Sequence, residues 1–154
     1  MKSIEDLLRA HRFFAELPDD VLVTLAGCGT NVHFDTDSQI IQADTAADEF
    51  FVIRSGRVAV ELHTPRGGLL VLDTIAEDEV LGISWLLPPY RWTFDARALE
   101  PTSAIALDAA CLRGKCDADP VLGYEMFKRF AGLVRGRLQA TRMQLLDMYG
   151  SHDS

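Results

Sequence analysis

Apolar positions fall into three successive regimes along the chain. Near the start, Ser3-x-x-Asp6 ahead of Leu7-Leu8 has the spacing of a capping box and predicts a helix from Ser3 to about Arg12. Phe13, Phe14 and Leu17 carry the apolar pattern to Pro18. A second short helix then opens at Pro18-Asp19-Asp20, with Val21, Leu22, Leu25 and Ala26 on one face and glycines at 27 and 29 to end it. From Asn31 the period drops to two, Val32 and Phe34 alternating with His33 and Asp35. Short apolar segments separated by turn residues continue to Asp108 at intervals of roughly 8–12 residues, a spacing that predicts an antiparallel β-roll or jelly-roll barrel.

Within that region, Asp48 to Val60 holds two runs rich in β-branched and aromatic residues, broken by Ser55-Gly56, and reads as a β-hairpin. Pro65-Arg66-Gly67-Gly68 forms the next turn, into Leu69–Thr74. Thr102 to Leu107 predicts the last strand and Ala109 to Arg113 a brief helix. The fold class is therefore mainly β with flanking helices: N-terminal helices over 1–30, a β-roll over 31–108 and C-terminal helices over 109–150, in a single domain of 154 residues.

The third regime begins at Asp119-Pro120, an N-cap acid followed by proline at the first helical position. Tyr124, Phe127, Ala131, Val134, Leu138, Thr141, Leu145 and Met148 then recur at alternating spacings of three and four. That is the repeat of a coiled-coil seam, so a long helix joining two copies of the chain is expected. The alternative is a helix laid on its own roll, which calls for a broader stripe of period 3.6. Lys128, Arg135, Arg137 and Arg142 flank the seam and would repel across a parallel pair unless acids neutralise them. Gly132 and Gly136 weaken the helix by ~1 kcal/mol each.

Charge qualifies this picture. The chain carries −8, but Pro120–Gly150 has five bases against two acids, a net of +3, which leaves −11 for the remainder. An acidic body disfavours a phosphate backbone as partner, so direct nucleic-acid contact is not expected, and the basic helix is matched to an acidic surface. No apolar run approaches the ~20 residues of a membrane span. The first residues lack a secretory apolar core, and an odd count of three cysteines suits reduced thiols, so a cytoplasmic location is expected.

The segment Glu79-Val80-Leu81-Gly82-Ile83-Ser84-Trp85-Leu86-Leu87-Pro88-Pro89-Tyr90-Arg91-Trp92-Thr93, followed by a strand ending Ala98-Leu99-Glu100, gives the chain its closest family likeness. With the Ser-Gly turn before it, this order resembles the cyclic-nucleotide-binding domain of catabolite-activator (Crp/Fnr) regulators, from His11 to about Tyr149. The resemblance implies a phosphate-binding cassette: a glycine, a ribose-binding glutamate, a short helix over Ser84–Leu87, and an arginine on the cyclic phosphate. Gly82 matches the glycine. Ile83 stands where the glutamate is expected and Trp92 where the arginine is expected, while Arg91 and Arg97 alternate away from that face. Gly82, Ile83, Ser84, Trp85, Arg91, Trp92 and Thr93 are thus the candidate site of a degenerate cassette. In such regulators the long helix leads into a helix-turn-helix; here the sequence stops at Ser154, and the resemblance implies a stand-alone sensory domain.

Other constellations are weaker. Cys111-x-x-x-x-Cys116 with Cys28 matches no zinc-ribbon spacing and reads as idle thiols rather than a metal site. His33 and His63 are isolated, and Trp85 and Trp92 read either as core or as a base-stacking pair. With no nucleophile elbow or Walker loop, enzyme is the least expected class. Two functions remain: a dimeric regulatory module taking a cyclic nucleotide or other small ligand, with no cofactor certain, that signals to an unknown downstream protein; or an interaction protein that kept the fold without a ligand.

Overall fold

The computed structural model describes residues 2–150, and the chain divides after Lys115 into two compact units. In the first, α1 (Ile4–Ala10) is capped as its spacing predicts: Ser3 accepts from the Asp6 amide and Asp6 accepts from the Ser3 amide. A single 3-10 turn over Arg12–Phe14 and α2 (Asp19–Ala26) follow.

Eight strands then build two four-stranded antiparallel sheets. One runs β1 (Gly29–Phe34), β8 (Thr102–Asp108), β3 (Glu49–Ser55), β6 (Val80–Leu81); the other runs β2 (Gln39–Ile41), β7 (Asp95–Ala98), β4 (Val58–His63), β5 (Leu69–Ile75). The fold is the expected antiparallel β-roll with flanking helices. Phe50, Val52, Ile53, Val58, Ile75, Leu81, Ile105 and Leu107 form its core, all at most 1% exposed.

The expected hairpin over Asp48–Val60 is corrected. β3 pairs with β8 and β6, whereas β4 pairs with β5 and β7, so Ser55-Gly56-Arg57 is a corner between sheets. Gly56 has φ +99°, and a Cβ there would come within 2.4–2.7 Å of Pro101 and Thr102; the corner is too tight for any other residue. Local pattern gives strand, turn, strand in either case, and only the partner strands decide between hairpin and crossing. The second turn does close a true hairpin, β4–β5, with the Thr64 amide donating to the Gly68 carbonyl.

The cysteine reading is also corrected. Cys28 and Cys111 are joined in a disulfide across 83 residues of sequence, and Cys116 is free. Strand pairing of β1 with β8 brings together two positions that sequence spacing could not connect. Among the described residues no group of three or more His, Cys, Asp or Glu could hold a metal, and no helix is long and apolar enough to cross a membrane.

α3 runs from Ala109 to Ala118, five residues beyond its expected end. In the second unit, α4 (Pro120–Gly150) begins as predicted, with Asp119 Oδ1 accepting from the Val121 and Leu122 amides. Leu122, Met126 and Phe130 are buried. The heptad positions lie elsewhere on the helix: Tyr124, Phe127, Val134, Leu138, Leu145 and Met148 are 43–65% exposed, and Ala131 and Thr141 are exposed with them.

Candidate functional site: the loop between β6 and β7

The loop of residues 82–92 is tied at its far end to the segment after β2. The Trp92 amide donates to the Thr45 carbonyl (2.9 Å), the Asp44 amide to the Trp92 carbonyl (2.9 Å) and the Ala47 amide to the Tyr90 carbonyl (2.7 Å). The helix expected over Ser84–Leu87 does not form. Two turns replace it, closed by Leu86 N–H to Ile83 C=O and Tyr90 N–H to Leu87 C=O, each 3.1 Å, with Pro88-Pro89 cis in the second. Paired prolines cannot continue a helix, so the loop presents no helix N-terminus to an anion.

Gly82 has φ +102°, and a Cβ built on it would lie 2.4 Å from Cη2 and 2.7 Å from Cζ3 of Trp92. The indole is packed on the bare glycine and is 5% exposed. Trp85 is fully buried and stacked on Phe50, ring centres 4.7 Å apart at 14°. Of the expected residues, Gly82 and Trp92 therefore meet. Ile83 and Ser84 are half-buried, and Thr93 is exposed. Arg91 is exposed and donates to the Asp44 carbonyl, while Arg97 is engaged by Glu61 and Asp37.

Beside Trp92 lies a cleft of about 170 Å³ lined by Ile40, Ile41, Gln42, Thr45, Ala46, Asp48, Glu49 and Phe51. Its charge is acidic. Glu49 is exposed at the cleft's edge, and partial desolvation there, then Asp108 and then Asp48, raise its carboxyl above its ordinary range. Its lining includes the carboxylates of Asp48 and Glu49 and no guanidinium.

One contributor escaped sequence reasoning. Arg113, on α3, donates through Nη1 to the Trp85 carbonyl at 2.6 Å, and its guanidinium lies 4.3 Å from the centre of the Tyr90 ring. Nothing in its neighbourhood in the sequence marks it, because its partners are more than 20 positions away.

Comparison with known proteins agrees with this architecture. No curated protein matches the sequence. A crystal structure of a protein from Geobacter metallireducens GS-15, provisionally named a cyclic nucleotide-binding protein, superposes with TM-score 0.79 at 29% identity, covering 90% of this chain and 99% of that one. A cyclic nucleotide-binding domain from Methylobacillus flagellatus gives 0.78 at 17% identity, with 93% and 80% covered. The N-terminal domain of a transcriptional regulator from Streptomyces coelicolor gives 0.70 at 22% identity, with 88% and 95% covered. The family model described as "Cyclic nucleotide-binding domain" matches residues 31–119, more than half of the sequence, and the chain belongs to that family.

Proposed function

We propose that this chain is a regulatory module that kept the cyclic-nucleotide-binding fold but closed its phosphate cassette with an apolar plug, and that it works as a homodimer through α4. The observation carrying the first part is the Trp92 ring seated on Gly82, where a side chain could not fit. An indole there offers a phosphate neither charge nor room. Its neighbours Asp48 and Glu49 favour neutral or cationic groups over an anion. The loop's state reaches α3 through Arg113, which holds the Trp85 carbonyl and the Tyr90 ring together. The second part rests on the exposed heptad seam, an apolar stripe that a second copy would bury.

A second reading, an interaction protein without any small ligand, is favoured by the size of the cleft. At about 170 Å³ it falls below the ~300 Å³ at which ordinary ligand pockets begin. Calorimetry with cyclic AMP, cyclic GMP and cyclic dinucleotides separates these readings from an intact nucleotide sensor. The expected result is no binding heat at millimolar nucleotide. Micromolar affinity for any of them would overturn the plugged cassette. The pair Ile83→Glu with Trp92→Arg restores the family's side chains and should introduce measurable binding; continued silence in a folded variant counts against the alignment of the loop with the cassette.

A further inference from the structure

The Cys28–Cys111 pair sits at the point where the roll passes into α3. The two Cα atoms are 5.7 Å apart. What brings the cysteines together is not the sulfur bond alone. The Asp108 amide donates to the Cys28 carbonyl at 2.9 Å, and Asp108 Oδ1 accepts from the Cys111 amide at 2.7 Å. One residue further in, Gly29 pairs with Leu107 across β1 and β8. Backbone and side-chain hydrogen bonds thus hold both cysteines in register alongside the disulfide.

We infer that Cys28–Cys111 is a reversible thiol–disulfide site, exchanging with dithiols, that determines whether the first turn of α3 is covalently fastened to the entry of β1. The inference stands apart from any ligand at the loop. Access is asymmetric: Cys28 is 6% exposed, while Cys111 is only half-buried, which makes its sulfur the favoured point of attack in this scheme. Attack on Cys111 Sγ breaks the S–S bond and expels the Cys28 thiolate, which takes a proton. The second thiol of the reductant then displaces Cys111 and leaves as a cyclic disulfide. Two electrons and two protons pass from the dithiol to the protein, and the oxidised dithiol reverses both steps.

Cys116, five residues along α3, stays outside the exchange. Its thiol is pushed up by burial and by Asp117 and Asp119, so it remains protonated near neutrality. Arg113, two residues past Cys111, clamps the 82–92 loop by the Trp85 carbonyl and Tyr90 ring. The fastening and the clamp lie within one turn of the same helix, so the redox state bears on how firmly that turn holds the loop.

The full chain is equilibrated in mixtures of reduced and oxidised dithiothreitol, and thiols are mapped by differential alkylation and mass spectrometry. Alkylated after unfolding, the oxidised protein should show one free thiol, Cys116, and reduction should free Cys28 and Cys111 together while circular dichroism of the native sample is retained. The Tm should fall by roughly 5–15 °C, as expected for opening a long cross-linked loop, and return on reoxidation. Hydrogen exchange over 109–113 should quicken in the reduced state. Cys116→Ser should behave as the parent, and Cys111→Ser should reproduce the reduced Tm. Three reactive thiols in the oxidised protein would overturn the inference. So would loss of native circular dichroism on reduction, which makes the bond a permanent staple, or pairing that involves Cys116.

Discussion

The six-membered ring of Trp92 occupies the space that any side chain on Gly82 would need, 2.4 Å from the position of its Cβ. Two residues ten apart in sequence thus specify each other: the left-handed backbone admits glycine, and glycine alone leaves room for the indole.

Gly82→Ala combines an unfavourable φ with a clash against a buried ring, and should cost at least ~2 kcal/mol in urea unfolding. Trp92→Ala removes a 5%-exposed aromatic and should cost ~3–5 kcal/mol. Together they should cost clearly less than the sum, since the cavity relieves the clash. Strict additivity would mean the two do not touch.

Glu61 is buried, 3% exposed, and its two carboxylate oxygens take Arg97 Nε at 3.2 Å and Nη2 at 3.1 Å. Arg97→Met strands that carboxylate and should destabilise by roughly 2–4 kcal/mol. Asp37 meets the same arginine at 2.9 Å, but its side chain is 76% exposed, so Asp37→Ala should cost under ~1 kcal/mol. Equal effects on thermal unfolding would refute the ranking.

His11 is buried, its Nδ1 accepting from the Phe13 amide and its Nε2 lying 3.2 Å from the Ile53 carbonyl, which fixes the neutral tautomer protonated at Nε2. Burial lowers its pKa below 6.5, with Asp78 opposing. The native state then binds fewer protons than the unfolded chain. The stability His11 confers is complete above pH 6.5 and declines as pH falls from there through the lower folded value. His11→Gln should flatten the Tm profile between pH 7 and 5; an unchanged slope would exclude His11 as its source.

Glu49 works with the opposite sign. Its raised folded pKa means that its contribution is complete below 4.5 and is lost as pH rises through the folded value. Glu49→Gln should therefore raise the Tm at pH 7 and leave it unchanged near pH 4. A lower Tm at pH 7 would show that the carboxylate has a favourable partner.

Leu138 and Val134 lie in the middle of the exposed seam, 48% and 43% exposed. If α4 pairs two copies, Leu138→Asp buries a charge at the interface and should convert a dimer to monomers in sedimentation equilibrium while circular dichroism is retained. A parent chain that sediments as a monomer at 100 µM would remove the basis of the dimer.

Ser3 and Asp6 determined the first cap and Asp119-Pro120 the start of the long helix, and the change of period at Asn31 placed the onset of the roll two residues after β1 begins at Gly29, because caps, prolines and side-chain alternation act between residues close in sequence. The family resemblance marked Ile83 and Trp92 as the altered pair and Gly82 as retained, though not the contact between Gly82 and Trp92. Tertiary structure alone decided that Ser55-Gly56 turns between sheets, that Cys28 meets Cys111, that Arg113 holds Trp85 and Tyr90, and that Glu49 shares a cleft with Trp92. Each of these depends on which strand or helix lies alongside which, and that choice is made by the burial of the whole core rather than by any stretch of sequence.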